Sequence, residues 1–208
     1  MSTTSVREAY SRLADRYIDL FGSVDGVDPQ DLALIARHLG RVPGPVLDLG
    51  CGPGHLTGFL RSMQPDVTGI DLVPEFVAHA RRHHPGARFR LGSLTDLDHP
   101  DGSVGGILAW YSLVHLPPAE FDGVLAGFRR VLAPGGALVV GFFDGDDCEP
   151  FAHKVTTAHR WPVDEVARRL ARAGLAEVER LRRGQEGERR PHGVVAARAV
   201  RPALLARA

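Results

Sequence analysis

Short apolar runs alternate with amphipathic stretches from residue 45 to residue 183. Apolar runs of strand length predict strands, and apolar residues at helical spacing predict helices between them. Five strands are predicted at 45–49, 67–71, 87–91, 104–109 and 137–143. Four helices are predicted between and after them, at 55–63, 74–83, 118–132 and 163–173. Such alternation predicts a parallel sheet covered by helices on both faces.

The two ends of the chain depart from this alternation. Near the N-terminus, an approximate helical stripe over 5–21 predicts a first helix, and a second follows at 29–39 with Asp28 as its N-cap. Near the C-terminus, 177–183 and 194–200 are predicted as two closing strands. The polar stretch 184–191 between them is predicted to be a hairpin loop.

The pattern as a whole predicts one α/β domain with a doubly wound, Rossmann-like sheet. We expect seven mostly parallel strands, helices on both faces and an antiparallel strand near the C-terminus. We divide the domain into an N-terminal helical lid at 1–40, an α/β core at 41–201 and a frayed tail at 202–208.

Composition narrows the class of partner. The 208 residues include 25 basic and 25 acidic side chains, which argues against capture of nucleic acid by a basic surface. No apolar run approaches the ~20 residues of a membrane span, and the first residues do not resemble a signal peptide. We therefore expect a cytoplasmic protein with no nucleic-acid or membrane partner.

The cysteines and arginines add little chemistry. Cys51 and Cys148 fall at the ends of the first and fifth predicted strands, roughly 9–10 Å apart, so we expect two free thiols. Lys154 is the only lysine. Because this bias suggests GC-rich codons, clusters such as Arg182–Arg183 are not treated as evidence for phosphate binding.

A glycine-rich loop follows the first strand, in the sequence VLDLGCGPG at 46–54. The loop lacks the lysine of a phosphate-binding P-loop, and His55 and Thr57 occupy the positions where a dinucleotide fingerprint needs its last glycine. Asp48 would repel a pyrophosphate but would attract a ligand with ammonium and sulfonium charges. The loop therefore favours a cationic ligand over a nucleotide phosphate.

A second acid, Asp71, ends the second strand. Its carboxylate is placed to accept hydrogen bonds from both hydroxyls of a ribose, although a helix cap before Pro74 is the alternative role. Leu72 could then cover one face of an adenine. The segment 92–94, Gly-Ser-Leu, could meet the edge of the adenine.

These segments resemble the class I S-adenosylmethionine-dependent methyltransferases, in the group that acts on small molecules. VLDLGCGPG resembles the first motif of that family, GIDLVPEFVAHAR at 69–81 the second, and FRRVLAPGG at 128–136 the segment before strand five. The sequence departs from the family at Ser93 and at Gly105–Gly106, where aspartates are common. We expect the glycine pair to be structural.

The resemblance implies that S-adenosyl-L-methionine is the cofactor and S-adenosyl-L-homocysteine the product. It implies transfer of a methyl group, in line and without a metal, to an O, N or C nucleophile of a small-molecule acceptor. The expected cofactor-binding residues are Tyr17, Asp48, Gly50, Cys51, Gly52, Asp71, Leu72, Gly92, Ser93, Leu94, Ala109, Trp110 and Tyr111.

Three residues are candidate catalysts. His115, near the end of the fourth strand, is the best candidate base because an unperturbed imidazole titrates near pH 6.5; packing beneath the cofactor is its alternative role. Tyr10 shares a helix face with Tyr17, and His153 is a further candidate base. Trp110 and Tyr111 could form an aromatic wall against the sulfonium or pack in the core.

The acidic stretch 144–153 raises a different possibility, a divalent metal as in catechol-type methyltransferases. That arrangement also needs a ligand from the fourth strand, where Ala109 and Trp110 offer none, so no metal is expected. His79 and His83 have a zinc-like spacing but lack a third ligand. A solvated helix face is the simpler interpretation.

Three other functions remain open on the sequence. A methyltransferase acting on RNA or protein is disfavoured. Enzymes that methylate adenine or glutamine amides usually carry Asp/Asn-Pro-Pro followed by an aromatic residue at the end of the fourth strand, where this chain has Ala-Trp-Tyr-Ser at 109–112. A nicotinamide oxidoreductase is disfavoured by the glycine loop. A catalytically silent or repurposed binding protein on the same scaffold is a further alternative. Either a monomer or a homodimer is expected.

Overall fold

Nine strands join into one sheet in the computed structural model, which describes residues 3–185, 187 and 190–200. The strands are β1 Val46–Leu49, β2 Val67–Asp71, β3 Arg88–Leu91, β4 Val104–Trp110, β5 Leu132–Asp144, β6 Glu149–Phe151, β7 Ala158–Trp161, β8 Leu175–Arg183 and β9 His192–Ala199. The helices are α1 Thr3–Ser11, α2 Ala14–Phe21, α3 Pro29–Leu39, α4 His55–Arg61, α5 Pro74–His83, α6 Pro118–Val131 and α7 Val163–Arg172, with a 3-10 turn at Val24–Gly26.

The strand order confirms the predicted doubly wound sheet. Strands β3, β2, β1, β4 and β5 lie side by side and are parallel. Strand β9 pairs with β5 in the antiparallel direction, and β8 pairs with β9. The order reverses between β1 and β4. In such sheets the crevice beyond the carboxyl ends at this reversal is where ligands bind.

A short hairpin was not predicted. Strands β6 and β7 form an antiparallel pair. Strand β7 also pairs in the parallel direction with the end of β5, where Phe143 lies opposite Arg160. The sequence pattern predicts an acidic loop over 144–153, and that prediction is wrong for 149–151, which form β6. Strand β6 has three residues and no apolar run that would predict a strand. In β7, only Ala158 and Trp161 are buried, so its apolar pattern is also weak.

Two helix boundaries also differ from the prediction. The stripe at 5–21 is broken at Arg12–Leu13 into α1 and α2, and both helices remain packed on Val73 and Phe76. Helix α6 ends at Val131, and β5 begins at once because Leu132 pairs with Val104. The predicted tail 202–208, and residues 186, 188 and 189 of the predicted hairpin loop, lie outside the described residues.

The core lies on both faces of the sheet, as predicted. On one face α6 and α7 pack Phe128, Val166 and Leu170 against the strands. On the other face α3 and α4 contribute Leu34, Ile35, Leu39 and Leu60. Both faces of β1 and β2 are buried. Among the described residues, no helix combines the length and the apolar character needed to cross a membrane.

Close packing explains the glycine pair at the start of β4. A Cβ atom on Gly105 would lie 1.9 Å from the carbonyl oxygen of Pro43, and one on Gly106 would lie 2.8 Å from Cδ2 of Leu39. Any side chain at Gly105 would collide with backbone. The structure therefore supports the expectation that this departure from the family is structural.

We predict that Gly105→Ala lowers the free energy of unfolding by about 2–3 kcal/mol, because the backbone of the 43–45 turn must move. Gly123→Ala in α6 is the matched control. A Cβ there meets nothing within 4 Å, and alanine favours a helix by about 0.5–1 kcal/mol. Chemical denaturation measures both. Equal stability of the two variants would contradict this account of the packing.

Candidate active site

A cavity opens beyond the carboxyl ends of β1, β2 and β4, where α1 and α2 lie over the sheet. It is the crevice that the strand order predicts. Most of the predicted site residues line it, namely Tyr10, Tyr17, Gly50, Gly52, Asp71, Leu72, Gly92, Leu94, Trp110, Tyr111 and His115. Residues from six segments of the chain therefore meet in one place.

The glycine loop turns sharply at the floor of the cavity. Gly50 and Gly52 have φ angles of +73° and +53°, a region that favours glycine. A Cβ on Gly50 would lie 2.4 Å from Cβ of Ser112. At Gly52 the nearest atom is Cε1 of Tyr17 at 3.8 Å, so the backbone there is open towards the lid. The loop then leads into α4, whose first N–H groups lack helical partners.

Asp71 holds this loop to the end of β2. One carboxylate oxygen accepts a hydrogen bond from the Gly52 N–H at 2.8 Å, and the other accepts from the Val73 N–H at 2.9 Å. The bond from Val73 is not a helix cap, because Val73 is itself the N-cap residue and no side chain of the described residues caps α5. The alternative capping role is therefore wrong, and the Asp71 side chain lines the cavity. Burial raises the pKa of Asp71 to about 6, against the effect of its backbone hydrogen bonds. Each oxygen keeps a lone pair for a ligand.

A second buried carboxylate lies behind the loop. Asp48 is 1% exposed and accepts a hydrogen bond from Oγ1 of Thr57 at 2.6 Å. Burial raises its pKa to about 7, and the charge of Asp71 adds to the shift. Asp48 is not among the residues that line the cavity, so only its charge, and no direct contact, can act on a ligand there. Two buried acids side by side favour a ligand that brings positive charge.

Three other predicted cofactor residues lie around the cavity rather than in its wall. Cys51 packs on Val77, Ala80 and Phe89, and burial raises its pKa well above the ordinary thiol value. The Ser93 hydroxyl lies 2.7 Å from that of Thr95. Ala109 is fully buried in the core. Both cysteines are free, as predicted.

The three candidate catalysts lie together. The Tyr10 hydroxyl lies 2.9 Å from Nε2 of His115, and the rings of His115 and His153 are 5.4 Å apart. Nδ1 of His115 lies 2.8 Å from the carbonyl oxygen of Thr157, which can only accept. The proton of neutral His115 is therefore on Nδ1, and Nε2 accepts the hydrogen bond from Tyr10.

Burial keeps these groups uncharged. It lowers the pKa of His115, and His159 adds to that effect while the bond to Thr157 opposes it. It lowers the pKa of His153 to about 4, with further contributions from His115 and Arg190. Burial also raises the pKa of Tyr10. The cluster thus presents a neutral imidazole nitrogen near the cavity wall.

The end of β4 contributes Trp110 and Tyr111. Tyr111 has a φ of +54°, the one positive value for a non-glycine residue in the part of the chain that the structure describes. Its ring packs on Phe143 with centroids 4.8 Å apart, and its hydroxyl is hydrogen-bonded to Nδ1 of His192. His192 lies 81 residues further along the chain, and no sequence pattern marks it as a partner of Tyr111.

Other wall residues were also missed. Arg7 and Val6 of α1, Phe76 of α5 and Ser112 after β4 line the cavity. The Ser112 hydroxyl oxygen is buried without a hydrogen-bond partner. The helical stripe of α5 could have indicated Phe76, but no local pattern marks Arg7 or Ser112.

The region considered for a metal has a different arrangement. Asp144 pairs with Arg182 at 2.8 Å and accepts a hydrogen bond from the Gly145 N–H. Across the described ranges, no three His, Cys, Asp or Glu side chains come together as a metal site would require. His79 and His83 stack on each other on α5. Metal independence stays a prediction.

Comparison with known sequences supports the interpretation of the glycine loop. A family model described as a methyltransferase domain matches residues 46–136. A trans-aconitate 2-methyltransferase from Methylobacterium nodulans is 35% identical over 124 residues, which is 59% of this chain and 46% of that protein. A ubiquinone biosynthesis O-methyltransferase from Xanthomonas oryzae is 30% identical over 139 residues, 63% of this chain and 57% of that protein. The chain thus spans about half the length of these curated relatives.

Solved structures extend the similarity beyond the matched segment. The 1,6-didemethyltoxoflavin-N1-methyltransferase of Burkholderia thailandensis, crystallised with 1,6-didemethyltoxoflavin and S-adenosylhomocysteine, superposes with a TM-score of 0.79 at 25% identity, covering 95% of this chain and 88% of that one. The 4+2 cyclase SpnF has the same fold, with a TM-score of 0.79 at 18% identity over 97% of this chain and 98% of that one. With the glycine loop, the acid after β2 and the strand order, these matches show that residues 46–136 match a methyltransferase domain and that the chain is similar to the S-adenosylmethionine-dependent methyltransferases.

Proposed function

We propose that this chain transfers a methyl group from S-adenosyl-L-methionine to an O, N or C nucleophile of a small molecule, without a metal. The observation that carries the proposal is the meeting of the glycine turn, the Asp71 carboxylate and the end of β4 around one cavity. When bound, the cofactor supplies a methyl group on a positively charged sulfur.

The residues of the cavity fit the parts of this cofactor. Asp71 offers free lone pairs to ribose hydroxyls, and Leu72 and Leu94 offer apolar surface to an adenine. The open backbone at Gly52 and the ring of Tyr17 suit the amino-acid end. The negative field of Asp48 and Asp71 attracts the ammonium and sulfonium groups. The product S-adenosyl-L-homocysteine would occupy the same contacts.

The chain's part in the reaction is positioning. Holding the acceptor in line with the methyl group and excluding water can supply about 7–11 kcal/mol of the barrier. Tyr10, Trp110 and Tyr111 provide an aromatic wall, which favours a flat acceptor. His115 presents a neutral nitrogen through Tyr10 for an acceptor that must lose a proton. The ring of His153 packs edge to face against the ring of His115.

The relatives support the acceptor class in general terms. Their names specify trans-aconitate, ubiquinone biosynthesis and 1,6-didemethyltoxoflavin. Two of the names also give the methylated atom, an oxygen in one and N1 in the other. The similarity to a cyclase makes a repurposed relative the main alternative. The lid, core and tail division, the cytoplasmic location and the monomer or homodimer state remain predictions.

Calorimetry with S-adenosylhomocysteine tests cofactor binding. We expect the wild type to bind S-adenosylhomocysteine saturably and not to bind NAD. Asp71→Ala should weaken binding by about 1–3 kcal/mol, because charged hydrogen bonds to the ribose are lost. Asp101→Ala is the control, since Asp101 is a surface acid paired with Arg130. An unchanged dissociation constant for Asp71→Ala would refute the ribose contact.

Replacement of Asp48 tests the cost of the buried charge. At pH 8 Asp48 is ionised in both states, and burial penalises the folded state; at pH 5 the folded carboxyl is protonated, so the penalty is smaller. Asp48→Asn should therefore raise the free energy of unfolding by about 1–3 kcal/mol at pH 8 and by less at pH 5. Denaturation at the two pH values measures this, and a gain that does not depend on pH would contradict it.

A labelled-methyl assay with a panel of phenols, N–H heterocycles, carboxylates and enolisable carbon acids tests the reaction. We expect His115→Ala to slow turnover at least about tenfold while the dissociation constant of S-adenosylhomocysteine stays within about twofold. His79→Ala is the control, because His79 is a partly exposed residue of α5 that is not among the residues lining the cavity. Equal losses of turnover and cofactor affinity would assign His115 to binding. If no compound of the panel were methylated, the proposed acceptor class would fail.

A further inference from the structure

A buried chain of polar side chains leads away from the cavity at Tyr111. Tyr111 lines the cavity, and its hydroxyl is hydrogen-bonded to Nδ1 of His192 at the start of β9. Nε2 of His192 lies 3.3 Å from Oδ1 of Asp31 in α3. His192 is 4% exposed and Asp31 is 3% exposed. Three elements distant in sequence thus contribute one connected path.

The direction of these hydrogen bonds follows from Asp31. Burial by itself opposes its ionisation, but hydrogen bonds from His192 and Arg183 lower the pKa of Asp31 below its usual value. Arg183 donates from one guanidinium nitrogen to Oδ1 at 2.9 Å and from another to Oδ2. An ionised carboxylate only accepts hydrogen bonds. In the neutral form of His192, Nε2 therefore carries the proton, and Nδ1 accepts the bond from the Tyr111 hydroxyl.

We infer that Tyr111, His192 and Asp31 form a proton relay for an acceptor that reacts through an ionisable O–H or N–H group. This inference rests on the proposed function and specifies the chemical class of its acceptor. The acceptor gives its proton to the Tyr111 oxygen as the Tyr111 proton passes to Nδ1 of His192. The acceptor atom keeps the electron pair and bonds to the methyl carbon, and the pair of the broken C–S bond stays on sulfur. His192 ends as an imidazolium beside the Asp31 carboxylate.

The relay and the Tyr10–His115 pair differ in the group that would stabilise a protonated histidine. Behind His115 is the neutral carbonyl of Thr157, and His159 opposes protonation of the ring. Behind His192 is the carboxylate of Asp31, which stabilises an imidazolium as the aspartate of a hydrolase triad does. Under the relay, His192 takes over the proton-accepting role that the proposed function gives to His115, and His115 keeps the role of orienting Tyr10.

The charges around the relay support this assignment. Asp31 and Asp28 come from the start of α3 and the turn before it, and Arg183 from β8 lies within 3.6 Å of Asp28. These groups together carry one net negative charge, which a protonated His192 neutralises. Burial and the charge of Asp31 raise the pKa of the Tyr111 phenol, so Tyr111 rests as a neutral donor.

The backbone at Tyr111 provides an independent indication. Its φ of +54° is disfavoured for a residue with a Cβ atom, and such outliers cluster at functional sites. A purely structural role, in which the chain only joins α3 to β9, would need neither the strain nor a phenol in the cavity wall. Under the relay, His192 and Asp31 are positioning residues, and Tyr111 is the group that contacts the acceptor.

Nitrogen-15 NMR of the histidine rings tests the wiring without an acceptor. At pH 8 we expect His192 as the Nε2–H tautomer with an unprotonated Nδ1, and Tyr111→Phe should shift the Nδ1 resonance towards that of a free acceptor nitrogen. His192→Phe identifies the signals. The Nδ1–H tautomer in the wild type would overturn the relay, because Nδ1 would then donate to the phenol and could not take its proton.

Turnover tests the role, with the first phenol or N–H heterocycle that the labelled-methyl panel identifies. In His192→Asn the side-chain carbonyl can accept the Tyr111 hydrogen bond but cannot take a proton. We expect kcat to fall at least about 100-fold, with KM and the dissociation constant of S-adenosylhomocysteine within about twofold. Tyr111→Phe should lose a similar factor.

The control is His38→Gln. His38 is also a buried histidine bonded to a carboxylate, Glu179, and it is not among the residues that line the cavity. We expect its kcat within about twofold of wild type. Wild-type kcat in His192→Asn would overturn the relay. Absence of S-adenosylhomocysteine binding by the wild type would instead refute the proposed function, while the tautomer measurement would still report on the wiring.

Discussion

The hydrogen bond from the Gly52 N–H to the Asp71 carboxylate fixes the relation between the glycine loop and the second strand. The N–H groups of Gly50 and Cys51 also donate to the carbonyl oxygen of Ile70, so the turn after β1 is held to the end of β2 by both backbone and side chain. Asp71 is held from the other side by the Val73 N–H, so the carboxylate cannot swing away. The orientation that serves the loop also presents the remaining lone pairs to the cavity.

The buried carboxylates of Asp48 and Asp71 impose a second constraint, because their burial lowers the stability of the folded protein. Burying Asp48 and Asp71 together raises the pKa of both, which means that the folded protein resists the ionised pair. A cationic ligand would stabilise the two carboxylates in their ionised forms. Binding of such a ligand would therefore offset part of the free energy that burial of these carboxylates costs. Tyr111 adds a backbone with a positive φ at the cavity wall, and Tyr10 and His115 add side chains that burial keeps uncharged.

Much of this arrangement could be predicted from the sequence because the signals are local. The apolar strands, the glycines at 50–54 and Asp71 at the next strand end each lie within one short segment. The meeting of Tyr10 and His115, 105 residues apart, was expected only through the family resemblance. The β6–β7 hairpin and the break between α1 and α2 were missed because their stability comes from tertiary packing. Asp31 and His192 are 161 residues apart, and each looks ordinary in its own segment.

We propose that the glycine turn and Asp71 together bind a positively charged nucleoside in the cavity. A crystal structure of the chain with S-adenosylhomocysteine bound would test this proposal. We expect both ribose hydroxyls on the Asp71 carboxylate, the adenine beside Leu72 and Leu94, and the sulfur towards Tyr111 and His115. Electron density for the ligand elsewhere, or a ribose that does not contact Asp71, would refute the proposal.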